Sequence, residues 1–268
     1  MNASTEAPLA VVTGASSGIG QELARQFAQH GYDLIVAAED EGIVDAAREL
    51  GREGVHVTPV QADLAEYDGV EKLVEEVRSA GRPVEAVAIN AGVGVGGDFA
   101  RQTDLQDELR LISLNVTSSV HLAKRVLPDM VARRSGKVLF TSSIAGTAPG
   151  PYEAAYAASK AFLFSFSEAI RHELRDTGVT VTALLPGPTD TEFFDRAGLQ
   201  DTKVATMKKS DPADVAREGF EALMAGKDQV VAGHLRDKVQ AKAGKPMPET
   251  AKAKMHGSLA EPGSGTQS

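Results

Sequence analysis

Tyr156 and Lys160 stand four residues apart in YEAAYAASKAF, a spacing that puts both side chains on one face of a helix. A phenol titrates near pH 10 and is a poor base at neutral pH, but a neighbouring ammonium favours its phenolate. Lowering the phenol by about three units takes roughly 4 kcal/mol of differential stabilisation. The pair is therefore a candidate proton-transfer group, although Y-x-x-x-K alone also fits an ordinary surface helix, so its company decides. Upstream, VLFTSSIAG ends an apolar run with Ser142 and Ser143, hydroxyls at the carboxyl edge of a strand where a substrate oxygen can receive a hydrogen bond. Asn90 in INAG ends another such run. LISLNV places the amide of Asn115 inside a helical pattern, where asparagine is a poor filler.

These groups need a scaffold, and its first turn is TGASSGIG. Leu9 to Val12 before it form a short apolar run of the buried-strand kind, and Leu23, Ala24 and Phe27 after it mark one face of a helix. Gly14, Gly18 and Gly20 thus lie on a strand-to-helix turn. A helix N-terminus presents unpaired N–H groups to an anion, and glycines let the backbone approach a diphosphate closely. The G-x-x-x-G-x-G spacing matches the general dinucleotide fingerprint only loosely. At the end of the next apolar run, LIVAAED places Glu39 and Asp40 where carboxylates can accept hydrogen bonds from adenosine ribose hydroxyls. With no Arg or Lys in that stretch, a 2′-phosphate meets like charge, so the expected cofactor is NAD in preference to NADP. An oxidised nicotinamide ring together with Lys160 would then supply the stabilisation that the Tyr156 phenolate requires.

Strand-like runs recur at Leu9–Val12, Leu34–Ala37, Val55–Val60, Val84–Ile89, Lys137–Phe140, Val179–Leu185 and, more weakly, Gln229–Val231. Helical patterns lie between them, such as Val70, Leu73, Val74 and Val77, or Leu105, Leu109, Ile112 and Val116. Thr103 with Gln106 resembles a capping box, and Asp211-Pro212 offers an N-cap followed by proline at the first helical position. This alternation predicts an α/β fold of Rossmann type, a doubly wound, mostly parallel seven-stranded sheet with helices on both faces. The expected organisation is a flexible N-terminus (1–7), one Rossmann-type domain (8–237) and a charged, partly disordered C-terminal extension (238–268). The 268 residues contain no cysteine, which excludes a thiolate nucleophile and a cysteine-zinc cluster, and the six histidines show no ligand spacing, so no metal is expected. A net charge of −9 speaks against nucleic acid as a partner, and the absence of a long apolar stretch speaks against a membrane span. The expected location is the cytoplasm.

Taken together, TGASSGIG, Asn90-Ala91-Gly92, Asn115, Ser143, Tyr156-Ala157-Ala158-Ser159-Lys160 and Pro186-Gly187, in that order, resemble the classical short-chain dehydrogenase/reductase family over about residues 8 to 233. The resemblance implies a nicotinamide-dependent oxidoreductase acting on a secondary alcohol or ketone. It implies Tyr156 as general acid/base and Ser143 as the group that orients the substrate oxygen. Ser143 is chosen over Ser142 because the family's serine is the second of the pair, thirteen residues before the tyrosine. By the same likeness Lys160 holds the nicotinamide ribose and lowers the phenol, and Asn115 positions a water of the proton relay. The resemblance places Gly14, Ser16, Ser17, Gly18, Ile19 and Gly20 around the diphosphate and neighbouring ribose, Asp63 at the adenine, and Asn90, Ala91 and Gly92 beneath the cofactor. Pro186, Gly187, Thr189 and Thr191 match the family's nicotinamide clamp, with Thr189 departing from its usual aliphatic residue.

The segment 189–209, TDTEFFDRAGLQDTKVATMKK, carries separated apolar anchors at Phe193, Phe194, Leu199, Val204 and Met207, a composition that fits a lid over the substrate and an ordinary surface helix equally. Val93, Val95, Thr147, Tyr152 and Phe193 are the expected lining of a mainly apolar pocket. It has no obvious fixed cation, which favours a neutral alcohol or carbonyl substrate. Phe162, Leu163, Phe164 and Phe166 point in more directions than one buried face covers, which predicts a homodimer or homotetramer. Two rival readings share parts of the pattern: a dinucleotide-sensing regulator without turnover, and a sugar-nucleotide epimerase, whose glycine spacing differs.

Overall fold

Leu9–Thr13 (β1) contributes Leu9 and Val11 to one apolar cluster and Ala10 and Val12 to another, the two-residue alternation of a strand covered on both faces. The computed structural model describes residues 6–234 and 248–266. The remaining strands are Asp33–Ala38 (β2), Val57–Gln61 (β3), Val84–Ile89 (β4), Gly136–Thr141 (β5), Val179–Pro186 (β6) and Gln229–Ala232 (β7). All seven pair in parallel in the order β3-β2-β1-β4-β5-β6-β7. The expected α/β doubly wound architecture is therefore the observed one. The chain leaves β1 toward one edge and returns to β4 on its other side, which opens a crevice at the carboxyl ends of β1 and β4.

One face of the sheet is covered by Tyr67–Ser79 (α3), Ser118–Ala132 (α5) and Ala154–Leu174 (α6), through Leu73, Leu122, Met130 and Leu163. The other is covered by Gly18–Gln29 (α1), Gly42–Gly51 (α2) and Pro212–Met224 (α9), through Leu23, Phe27, Ile43, Leu50 and Phe220. Asp211 caps α9 as its sequence suggests, its carboxylate accepting the N–H of Ala213 at 2.8 Å with Pro212 at the first position.

Leu105–Ile112 (α4) departs from expectation twice. Its N-cap is Asp104, whose carboxylate accepts the N–H of Gln106 at 2.7 Å, while the Thr103 hydroxyl is buried without a partner among the described residues. Its apolar series Leu105, Leu109 and Ile112 faces outward, 65, 48 and 42 % exposed, and the residues it buries are Glu108 and Leu111. Periodicity locates an apolar stripe; it does not say what covers it.

Phe193–Arg196 (α7) and Lys203–Thr206 (α8) lie within the expected lid segment and share a small cluster of their own, built on Phe194, Ala197 and Leu199. Glu249–Ala260 (α10) docks beside them: Asp201 accepts N–H bonds from Gly263 and Gly265, and Ser264 Oγ accepts from Lys203 N at 3.0 Å. Residues 1–5 of the expected N-terminal segment, and 235–247 and 267–268 of the domain end and C-terminal extension, lie outside the described residues. Among the described residues no helix is long and apolar enough to cross a membrane.

Candidate active site

The turn after β1 is built for a close neighbour. Gly14 and Gly18 adopt φ of +66° and +57°, and a Cβ on Gly20 would lie 1.9 Å from the Gly14 carbonyl oxygen. Asn90, at the end of β4, holds this turn by donating from Nδ2 to the carbonyls of Thr13 (3.1 Å) and Gly14 (3.4 Å). Thr13 Oγ1 in return accepts the N–H groups of Asn90 and Ala91, both at 3.0 Å. Ser17, the N-cap of α1, makes no side-chain capping bond, so the first N–H groups of α1 keep their affinity for an anion. A turn that no side chain fills, opening on an uncapped helix start, fits a dinucleotide diphosphate.

Ser16, Ser17, Ile19, Glu39, Asp63, Ala91, Gly92, Pro186, Gly187, Thr189 and Thr191 line the same cavity as the three glycines and Asn90, and so do Ser143, Tyr156 and Lys160. Its volume is about 270 Å³. At its acidic rim, Ser16 Oγ donates to Asp40 at 2.8 Å. Arg110, from α4, bridges Glu39 and Asp63, with Asp63 at 2.8 Å. Burial opposes ionisation of Asp63, but Arg110 and the N–H of Ala65 hold its carboxyl below the usual carboxylate range. The rim therefore contains a cation that no residue near Glu39 in the sequence announces.

Tyr156 and Lys160 occupy successive turns of α6, with Lys160 Nζ 5.7 Å from the tyrosine ring centre and donating to Thr141 O at 2.9 Å. Ser142 Oγ is committed to Lys160 O at 2.7 Å, a structural bond that secures α6 to β5. Ser143 Oγ, in contrast, makes a long 3.4 Å contact to Pro186 O, accepts the N–H of Ala145 at 3.1 Å and shares the cavity wall with the Tyr156 phenol. Asn115 stands apart from the cavity wall, fully buried in a π-helical turn, Ser113–Thr117, that interrupts the helical run from α4 to α5. Its amide bonds both the N–H and the carbonyl of Val93 at 2.9 Å, and donates to Ser159 Oγ at 3.0 Å. That ties the loop after β4 to α6.

Burial, and next the Glu153 carboxylate, push the Tyr156 phenol above its ordinary value, with Ser143 pulling weakly the other way. Burial pulls Lys160 down to about 8. The lowered phenol expected from Lys160 together with an oxidised nicotinamide is thus not what the chain alone produces: desolvation inside the enclosure raises it. In this state Tyr156 is a proton donor.

Of the expected substrate wall, Val93 and Phe193 line the cavity, and Phe193 lies over Tyr156 with ring centres 5.0 Å apart. Val95, Thr147 and Tyr152 do not line it. Tyr152 takes a φ of +64° and directs its ring toward Gly257. Sequence reasoning missed Ile144, Glu153, Arg196, His256 and Leu259, all of which line the cavity. Glu153 is legible only as an acidic residue one turn before Tyr156, and nothing in the sequence marks His256 or Leu259.

A Cβ on Gly92 would lie 3.0 Å from Asn115 Oδ1 and 3.2 Å from Lys160 Nζ. Gly92→Ala is expected to lower kcat by roughly 10- to 100-fold through misplacement of these groups, with little change in Tm. Stopped-flow turnover beside thermal melts checks this; loss of the fold in place of rate would contradict it.

The family model for "short chain dehydrogenase" matches residues 8–201. Oxidoreductase UcpA of Salmonella typhimurium is 31 % identical over 215 residues, 80 % of this chain and 79 % of that protein. A short-chain dehydrogenase from Sphingobium yanoikuyae, solved in complex with NADPH, superposes with a TM-score of 0.79 at 30 % identity, covering 89 % of this chain and 93 % of that one. The bulky-bulky ketone specific alcohol dehydrogenase from Comamonas testosteroni gives a TM-score of 0.75 at 27 % identity, covering 90 % and 94 %. A shared motif order, a shared sheet and a matched family model lead to one conclusion: this chain belongs to the short-chain dehydrogenases, nicotinamide-dependent oxidoreductases.

Proposed function

We propose that the protein interconverts a neutral secondary alcohol and its ketone, with Tyr156 as general acid/base. The observation that carries this is convergence: the Tyr156 phenol, the Ser143 hydroxyl and the Lys160 amine share one cavity with the glycine turn. A nicotinamide dinucleotide, held by Gly14 to Gly20, Asn90 and the Pro186–Thr191 segment, supplies or takes up the hydride when bound. Ser143 donates a hydrogen bond to the substrate oxygen and fixes its position. Tyr156 gives its phenolic proton to that oxygen during reduction and takes it back during oxidation. Lys160, anchored on Thr141 O, holds the ribose side of the cofactor site and returns a proton toward Tyr156. Asn115 positions the relay from behind by fixing Val93 and Ser159. The segment 189–209 closes the site against water, Phe193 being its contact with Tyr156.

The cofactor proposed is NAD. Three carboxylates, Glu39, Asp40 and Asp63, stand at the rim against one guanidinium that two of them already engage. Reduced-nicotinamide absorbance across neutral ketones is expected to show turnover, with NADH favoured over NADPH by roughly tenfold, about 1.4 kcal/mol. Glu39→Ala frees one side of Arg110 and moves the ratio toward NADPH. Tighter NADPH binding by the wild type overturns the preference, and failure of every ketone overturns the reaction.

The outward stripe of α4 and the 40 % exposed Phe162 of α6 form the surface proposed for self-association, α4 lying against α6. Light scattering is expected to show a dimer or tetramer that Leu109→Glu with Phe162→Glu converts to monomer. A monomeric wild type contradicts this.

A further inference from the structure

Helix α10 and the turn after it, Ser264–Thr266, are pinned at two places on opposite sides of the residues they bring to the cavity. On one side, His256 Nδ1 donates to the carbonyl oxygen of Pro149 at 3.1 Å, and a Cβ on Gly257 would lie 3.4 Å from Pro151 Cβ. Both partners belong to the loop that runs from β5 to Tyr156. On the other side, Asp201 Oδ2 accepts the N–H of Gly263 at 2.8 Å, Asp201 O accepts that of Gly265 at 2.7 Å, and the buried Ser264 takes the N–H of Lys203 at the start of α8. His256, Leu259 and Ala260 line the cavity with Phe193, Val204 and Met207 of the lid segment.

The lid itself sits in a fitted position. A Cβ on Gly94 would lie 2.5 Å from the Phe193 ring and one on Gly96 2.3 Å from Leu199 Cδ2, while Gly96 N donates to Ala197 O at 2.8 Å. The loop after β4 thus receives the lid, and the segment 248–266 fastens it at a second place. That fastening is specific at its end: a Cβ on Gly265 would lie 2.8 Å from Asp201 O and 2.9 Å from Thr202 O. Along its length it is weak. The residues α10 buries are Ala260 and Lys252, and the lysine bonds Glu249 of the same helix at 2.7 Å. A helix of 12 residues is marginal in water without tertiary support, and a segment with few buried apolar contacts is the kind that opens locally.

We propose that residues 248–266 are a clasp over the cavity, which fastens the lid segment to the loop after β5 and releases to let substrate in and product out. This rests on the lid reading above.

The chain has no cysteine, so an introduced pair has no competitor. The double variant Pro151→Cys, Gly257→Cys brings two Cβ atoms close to the roughly 3.5–4.5 Å that a disulfide spans. Oxidation then holds α10 down: kcat for ketone reduction is expected to fall about tenfold or more, and dithiothreitol to restore it. Equal rates in the two redox states overturn the release, and a pair that stays unlinked under oxidant overturns the docking. Gly265→Val undoes the other end. Amide hydrogen exchange is expected to quicken about tenfold in α10 and in α8 together, since Lys203 N loses its acceptor. Faster exchange in α10 with α8 unchanged overturns the fastening. If no ketone turns over, the ketone reading fails by itself, and the exchange result, which needs no substrate, decides the clasp.

Discussion

Tyr156→Phe is expected to lower kcat/KM for ketone reduction by about 10²- to 10⁴-fold, the usual contribution of a positioned acid, while NADH binding stays within a few-fold of wild type. The phenyl ring keeps what the tyrosine contributes to packing, including its contact with Phe193, so the fold does not depend on the hydroxyl. What disappears is the phenolic proton donor that lines the cavity together with Ser143. Steady-state rates with both variants at one pH, beside NADH fluorescence titrations, separate the two effects. Tyr152→Phe is the matching control: four residues away and outside the cavity wall, it should leave turnover near wild type. If Tyr156→Phe instead retained a tenth or more of the rate, the proton would have to come from another titratable group in the cavity, and Glu153 would be the first candidate.

The parts of this molecule that were legible in the sequence are those determined by contiguous residues. The interior strands announce themselves as apolar runs because the parallel sheet is covered on both faces there, and expected and observed strand limits differ by no more than two residues. The glycine turn and the Tyr156–Lys160 pair were legible for the same reason, since a tight turn and one helix face are local geometry. What was not legible depends on which distant surface arrives. Arg110 meets Glu39 across 71 residues of chain, so the acidic rim reads as purely negative until the fold brings α4 over it. The stripe of α4 has the right period yet faces away from the core, because Leu111 and Leu114 on the opposite side take the buried positions. Helix α10, ETAKAKMHGSLA, shows no continuous apolar face, yet it brings His256 and Leu259 to the cavity. The effect on Tyr156 is of the same kind: spacing shows that an amine is near, but the desolvation that raises the phenol depends on the whole enclosure.

Lys160→Met is expected to cost about 10²- to 10³-fold in kcat/KM, by removing the group proposed to position the cofactor ribose and relay a proton, and to weaken NADH binding with it. Its effect on stability should have the opposite sign in part, and the pH dependence reveals why. Lys160 is 4 % exposed and titrates near 8 when folded, against about 10.4 for an unfolded lysine. Between those two values the unfolded chain binds more protons, so stability rises with pH across that window, and the full penalty, roughly 3 kcal/mol at most, applies below it. Methionine removes the penalty but leaves Thr141 O without its 2.9 Å donor, a loss of about 1–3 kcal/mol. The two nearly offset at pH 7, so the slope is more informative than the level. The difference in Tm, wild type minus Lys160→Met, should climb from pH 7.5 to pH 10, because every other titrating group cancels in it. A flat difference would make Lys160 an ordinary ammonium throughout, able to attract a phenolate but not to pass a proton to Tyr156 near neutral pH. A rising one places the amine close enough to its titration point to do both.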